Sequence, residues 1–104
     1  ADQAAADAGL RARLVLDAQG TLVAVTPSAG PLAPQLQLVH PIESERDRAL
    51  PLQPDPAGWR SSEAWAGSEA WHVRLVAHDG RWRLVGRYRP GDTEVLLEPS
   101  VARQ

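Results

Sequence analysis

The sequence predicts an all-β fold, an immunoglobulin-like sandwich of about seven antiparallel strands. Several short segments alternate apolar with polar residues, the two-residue period of a strand with one face in the core. Turn residues recur at regular intervals between these segments, a spacing that favours a sandwich over a βαβ fold. The chain has 104 residues, of which 43% are hydrophobic, enough for one core and a single domain.

The N-terminal part of the chain predicts a leader and then a β-hairpin. Residues 1–9 are rich in alanine and close on Gly9, so we expect a leader there and a single domain over residues 10–104. Turn residues at 17–20 separate two apolar segments and predict a β-hairpin. The inward residues of its first strand alternate with Arg11, Arg13 and Val15, and they are Leu10, Ala12, Leu14 and Leu16.

The middle of the chain predicts short strands separated by proline-rich loops. Residues 27–34 contain three prolines and one glycine, which indicates a loop. A strand over 35–40 puts His40 on the same face as two leucines and ends at Pro41. Residues 42–48 are charged and predict a turn. Leu50 and Leu52 predict one short edge strand, and a turn at 55–58 leads to Trp59.

The C-terminal part carries the clearest hairpin pattern. Residues 71–77 place Trp71 on the same face as Val73, Leu75 and Ala77, and Asp79-Gly80 then predicts a tight turn. Residues 82–88 return with one face apolar and the other rich in arginine, as in a sheet with one buried and one solvated face. A final strand follows over residues 95–97.

Composition excludes several classes of function. The net charge is −2, so whole-molecule electrostatics do not indicate a nucleic-acid partner. Cysteine is absent, which excludes disulfides, thiolate metal sites and a cysteine nucleophile. There is no apolar stretch near the ~20 residues that span a bilayer.

Histidine is the only side chain here with the chemistry of a soft or borderline metal ligand, because cysteine and methionine are both absent. His72 and His78 are six residues apart on one strand, roughly 20 Å, too far to share an ion. His40 alternates with inward leucines and is interpreted as a core or strand-end histidine, although a pairing across strands stays open. We therefore expect no metal site.

No catalytic constellation is visible in the sequence. Glu43, Glu45 and Asp47 lie in a turn beside two arginines, which predicts a solvated turn with weak ion pairs. There is no G-x-S-x-G nucleophile elbow and no glycine-rich phosphate loop. We expect neither catalytic residues nor a cofactor, and the protein is predicted not to be an enzyme.

One group of arginines predicts a partner-binding surface. Adjacent strands would set them as a basic stripe on one sheet face, able to dock an acidic protein surface or lipid headgroups. The alternative is a solvated face on which these arginines pair with Glu63, Glu69 or Glu94. The stripe consists of Arg74, Arg81, Arg83, Arg87 and Arg89.

One segment resembles the signature of the FixH family. Residues 36–41 read Leu-Gln-Leu-Val-His-Pro, and the short acidic turn that follows ends in Asp47-Arg48-Ala49-Leu50. The strand, the His-Pro pair formed by His40 and Pro41, and the Asp-Arg-x-Leu ending are similar to that signature. Residues 58–60 and 71–75 are similar to its Gly-Tyr-Arg and Trp-Asp-Leu-Arg-Leu segments. The motif residues are interpreted as structural.

The resemblance implies a location and a role. FixH-like proteins have an N-terminal transmembrane helix followed by an immunoglobulin-like domain on the periplasmic side of the bacterial inner membrane. They are encoded with a copper-transporting P-type ATPase and help to assemble the cbb class of haem-copper oxidase. By resemblance, this chain is the periplasmic domain without its membrane anchor, a non-catalytic factor whose partner is an oxidase subunit or the copper ATPase.

Two departures from the family pattern leave alternatives open. His72 stands in place of an acidic residue, and Ser-Glu-Ala-Trp-Ala-Gly around Trp65 replaces a proline-rich loop. The loop around Trp65 is therefore a second place to look for the partner surface. The alternatives are a copper-handling periplasmic domain that uses His40 or His72, and a generic extracytoplasmic binding module.

Overall fold

A computed structural model describes residues 9–26 and 32–99 of the chain. Every strand pairing in it is antiparallel. Residues 1–8 of the predicted leader over 1–9, and residues 27–31 of the proline-rich loop, lie outside the described residues. A short 3-10 helix occupies Ser44–Arg46, inside the predicted charged turn. The strands are β1 (Arg11–Asp17), β2 (Gly20–Thr26), β3 (Gln35–Val39), β4 (Arg48–Leu50), β5 (Gln53–Asp55), β6 (Gly58–Ser61), β7 (Trp71–Val76), β8 (Arg83–Tyr88) and β9 (Glu94–Pro99).

The nine strands form one curled sheet with two halves, in the order β4-β3-β7-β8-β9-β1-β2-β6-β5. We call β9-β1-β2-β6-β5 the first half-sheet and β4-β3-β7-β8 the second half-sheet. The inward side chains of both halves enclose a single core. The prediction of an all-β, immunoglobulin-like sandwich is confirmed in its class, with nine strands instead of about seven.

The buried residues follow the predicted alternation. In β7 the inward residues are buried and their neighbours are only half-buried. The same pattern holds for β3 and for Ala12 and Leu14 of β1, whereas Leu16 is only partly buried. The central core residues, each with 0% exposure, are Leu14, Val23, Leu36, Leu38, Val73, Leu75, Leu84 and Leu97. Burial of these side chains is the main favourable contribution to folding.

Gly86 sits where the two half-sheets meet. Strands β8 and β9 pair at only two positions, Leu84 with Pro99 and Val85 with Glu98. A Cβ atom at Gly86 would lie 2.5 Å from the carbonyl oxygen of Leu96, closer than real side chains approach backbone. Only glycine lets the strands come this close, so the corner of the sheet depends on Gly86.

The structure divides the predicted strand at Leu50 and Leu52 into two. Leu50 ends β4, which pairs with β3 in the second half-sheet. The chain then crosses at Pro51 to β5, which pairs with β6 in the first half-sheet. The prediction of one strand was wrong because Pro51 has no N–H with which to continue a ladder. Both leucines are nevertheless buried.

Strands β4 and β5 are the two edges of the described sheet, and each has three residues. Pro54 lies in the middle of β5 and Pro51 follows β4 directly. No helix within residues 9–26 and 32–99 is long and apolar enough to cross a membrane.

Candidate partner-binding surface

The outer surface of β3, β7 and β8 contains no carboxylate. Strand pairing aligns its side chains in three rows across the sheet, and all of them are half-buried or exposed. We call these nine positions the basic face, because three arginines and a histidine are its only ionisable groups. The positions are Gln35, Gln37, Val39, His72, Arg74, Val76, Arg83, Val85 and Arg87.

The predicted arginine stripe is only partly on this face. Arg74, Arg83 and Arg87 lie on it, in β7 and β8. Arg81 lies in the turn before β8, where its side chain is 83% exposed and its Nε atom is 3.2 Å from Asp79. Arg89 follows the end of β8, and its backbone N–H donates to Asp92. The stripe therefore consists of three arginines on strands and one at each end.

The three glutamates suggested as alternative partners of these arginines bind other arginines. Glu63 binds Arg48 at 3.0 Å, Glu69 binds Arg46, and Glu94 binds Arg13. Within residues 9–26 and 32–99, no salt bridge involves Arg74, Arg87 or Arg89. The positive charge of the basic face is thus not neutralised by the acidic groups to which the sequence assigned it.

The outer surface of the first half-sheet is arranged differently. Arg13 in β1 forms a salt bridge with Glu94 in the neighbouring strand β9. Arg60 in β6 binds Asp17 and Asp55, each at 3.2 Å. The backbone N–H of Ala57 and the Arg60 guanidinium together lower the pKa of Asp55, and the hydrogen bond to Asp55 raises the pKa of Arg60. Arg13 and Arg60 therefore have local counter-charges, whereas Arg11 at the start of β1 donates only to the carbonyl of Leu10 among the described contacts.

The basic face is shallowly concave. One depression is lined by Val39, His72, Arg74, Val85 and Arg87, so apolar and cationic side chains border the same space. A second depression continues from His72 and Arg87 to Pro41 at the end of β3. The concave surface thus extends from the strands to the His-Pro motif. This combination suits a partner with both acidic and apolar side chains.

His40 organises the loop between β3 and β4. Its Nδ1 atom accepts hydrogen bonds from the backbone N–H groups of Ile42, at 3.2 Å, and Glu43, at 3.0 Å. Nδ1 is therefore unprotonated, and Nε2 carries the proton that it donates to Glu69 at 3.0 Å. The imidazole is mostly buried and packs edge-on against Trp71, with ring centroids 5.4 Å apart.

Asp47 and Arg48 close the same loop from its other end. Asp47 accepts the backbone N–H of His40 at 2.8 Å, which joins the last residue of the loop to the first. Arg48 binds Glu63 in the loop between β6 and β7. The four motif residues His40, Pro41, Asp47 and Arg48 thus form one closed turn with an external brace.

Comparison with known proteins gives one match. The family model described as FixH matches residues 1–89 of the 104-residue chain. The chain belongs to the FixH family. No curated protein matches it, and no solved structure matches it. The match includes the closed turn and β7 and β8, whereas β9 lies beyond it.

The histidines of this FixH-family chain are not placed to share a metal ion. His40 faces inward with both ring nitrogens in hydrogen bonds, whereas His72 lies on the outer surface opposite Val39. His78 is exposed in the turn after β7. Within the described ranges, there is no group of three or more His, Asp or Glu side chains that could hold a metal.

Trp65 is a core residue that joins the two half-sheets. Its indole Nε1 donates to Thr21 in β2 at 2.8 Å, and its ring packs edge-on against Tyr88 in β8 at 5.1 Å. Tyr88 in turn donates its hydroxyl to the carbonyl of Gly67. The indole is only 7% exposed, so a partner that touches this loop would meet the small residues beside Trp65.

No pattern in the sequence marks Ile42 as a functional residue. It is an aliphatic residue in a turn that reads as charged, and the structure leaves it 86% exposed. The signal in the sequence is a single large apolar residue directly after the His-Pro pair, which the strand periodicity does not require.

Proposed function

We propose that this chain is a non-catalytic assembly factor that supports maturation of a cbb-type haem-copper oxidase on the periplasmic side of the bacterial inner membrane. It acts by protein contact through the basic face, with an oxidase subunit or the copper-transporting ATPase as partner. Membership of the FixH family supports the proposed role in oxidase maturation. The choice of the basic face as the contact surface is supported by Arg74 and Arg87, which have no salt bridge within the described residues.

Unneutralised arginines are suited to recognition. A guanidinium offers five donors in a planar fork that matches a carboxylate in two hydrogen bonds, and it is weakly hydrated compared with an ammonium. All 11 basic residues of the chain are arginine. Complementary charge across an interface accelerates association and suppresses wrong partners. An acidic protein surface therefore fits the basic face best.

The arrangement of the His40–Glu69 pair also supports a binding role for the protein. General-base catalysis needs a histidine nitrogen that can reach a substrate proton. In the His40–Glu69 pair, Nδ1 already accepts two backbone N–H groups, and the ring is 90% buried. This pair maintains a loop conformation, and its arrangement supports a structural role.

The test is affinity capture of the full-length protein from its native membranes, with an Arg74→Glu/Arg87→Glu variant alongside. We expect the wild-type protein to retain an oxidase subunit or the copper ATPase, identified by mass spectrometry. Reversal of two charges on the basic face should reduce this recovery at least tenfold, because two attractive contacts become repulsive.

The matched control is Arg11→Glu/Arg13→Glu, which changes the net charge equally on the first half-sheet. It should retain the partner, and thermal unfolding should show that both variants remain folded. Equal losses in the two variants would point to non-specific charge effects. Absence of either partner from the wild-type sample would refute the proposal and favour a generic extracytoplasmic module.

A further inference from the structure

Ile42 is the most exposed large hydrophobic residue in the described part of the chain. It is 86% exposed, compared with 63% for Leu96 and 57% for Leu32. A single exposed aliphatic side chain is common on protein surfaces and carries no argument by itself. What distinguishes Ile42 is how its backbone is held and what lies beside it.

The backbone around Ile42 is fixed by the side chain of His40. Two consecutive N–H groups, those of Ile42 and Glu43, donate to the same imidazole nitrogen. Asp47 binds the backbone of His40, so the loop is closed on both sides of Ile42. The imidazole is itself held by Glu69 and Trp71. A side chain presented on such a prearranged loop loses little conformational entropy when it binds.

The tip of this loop adjoins the basic face. Pro41 lines the same depression as His72 and Arg87, and Ile42 follows it directly. An apolar side chain therefore lies next to the depression that contains Arg87, which has no salt bridge within residues 9–26 and 32–99. Arginine is enriched among binding hot spots, and an aliphatic side chain that fills a pocket of the partner can serve as an anchor beside it.

We infer that Ile42 is an apolar anchor that inserts into a hydrophobic socket on a protein partner, next to the acidic surface that meets the basic face. This inference rests on the proposed function and specifies the partner surface, an apolar socket with Asp or Glu on the side that meets Arg87 and none on the side that meets Glu43 and Glu45. A membrane is the less suitable occupant, because its anionic headgroups would face the exposed Glu43 and Glu45 as well as Arg87, whereas a protein can place its carboxylates on the arginine side alone.

The first experiment measures binding of the purified partner that the wild-type full-length protein retains. Ile42→Ala should weaken binding about ten- to a hundredfold, the effect of removing a buried aliphatic side chain from an interface. Leu96→Ala is the matched control, because Leu96 is also exposed but lies on the outer surface of the first half-sheet. It should leave binding within about twofold, and both variants should unfold at the wild-type temperature.

The second experiment places a photo-cross-linking amino acid at position 42 or position 96 of the full-length protein in native membranes. We expect a cross-link from position 42 to an apolar partner peptide flanked by Asp or Glu, and none from position 96. A cross-link from position 42 to lipid, or unchanged affinity of Ile42→Ala, would overturn the inference even when Arg74→Glu/Arg87→Glu abolishes capture. Failure of the wild-type protein to retain any partner would instead refute the proposed function, and the anchor with it.

Discussion

Both outer surfaces of the curled sheet carry arginine, but they differ in how its charge is balanced. On the first half-sheet, Arg13 and Arg60 have carboxylates within reach on neighbouring strands. On the second half-sheet, the basic face has no carboxylate at any of its nine positions. Glu69 and Asp79 are occupied by other arginines in the loops at opposite ends of the strands, and Glu98 of β9 lies opposite Val85 at the margin of this face.

The difference shows why counting charges is a poor guide to a binding surface. The chain as a whole has a net charge of −2, yet one of its two outer faces is locally basic. Surface ion pairs contribute only about 0–1 kcal/mol each, so folding gains little by pairing every arginine. Where pairing is absent, the surface remains available to a partner that supplies the carboxylates.

Gly86 allows the close approach of β8 and β9 at the corner between the two half-sheets. Its substitution should therefore give the largest change in the free energy of unfolding. Gly86→Ala should destabilise the protein by about 1–3 kcal/mol, because the obstructing atom is a backbone carbonyl that cannot rotate away. Urea denaturation followed by tryptophan fluorescence measures the loss. Gly67→Ala is the control, since a Cβ there meets nothing within 4 Å. Equal stability of the two variants would show that β8 and β9 separate freely.

His40 holds the loop that adjoins the basic face, and its removal gives the second largest expected effect. His40→Ala should cost about 1–2 kcal/mol, because two backbone N–H groups lose their acceptor and Trp71 loses its neighbour. His40→Asn places an oxygen near the position of Nδ1 and should recover part of this loss. Amide hydrogen exchange at Ile42 and Glu43 should accelerate in the alanine variant and much less in the asparagine variant. Unchanged exchange in both would mean that the imidazole does not hold the loop.

The smallest expected change in stability comes from reversing the charge of one arginine on each outer surface, which compares the two surfaces directly. Arg13→Glu places like charges together at Glu94 and should lower stability by about 0–1 kcal/mol. Arg87→Glu removes a cation from a face without carboxylates, so stability should stay the same or rise slightly. Thermal unfolding at low salt measures both, and high salt should reduce the difference through screening. A loss as large for Arg87→Glu as for Arg13→Glu would show that Arg87 has a hidden counter-charge.

The strand pattern could be predicted because each strand has one face in the core. Trp71 and Val73 alternate with His72, and this two-residue period is visible without any tertiary information. The division at Pro51 was not predicted, because Leu50 and Leu52 are both buried although Leu50 ends β4 and Leu52 lies between β4 and β5. The two-residue period shows which side chains are buried, but it does not show which strands pair with each other.

The candidate site could be predicted only in part, for a related reason. The face that holds Arg74 and Arg87 follows from alternation, as predicted. Which glutamate meets which arginine depends on how loops fold back, and Glu69 is brought to His40 across 29 residues of sequence. The anchor at Ile42 was missed because exposure in a loop has no period.

The two edge strands determine how this protein can be recognised. An extended peptide that joins a sheet by β-augmentation needs a long row of free backbone N–H and C=O groups along an edge. Here β4 and β5 offer three residues each, Pro54 has no N–H, and Pro51 closes the other edge at once. Strand addition and edge-to-edge aggregation are therefore both disfavoured. A partner has to recognise this protein through its side chains. Neighbouring copies, even at high concentration, would have few free backbone groups with which to pair.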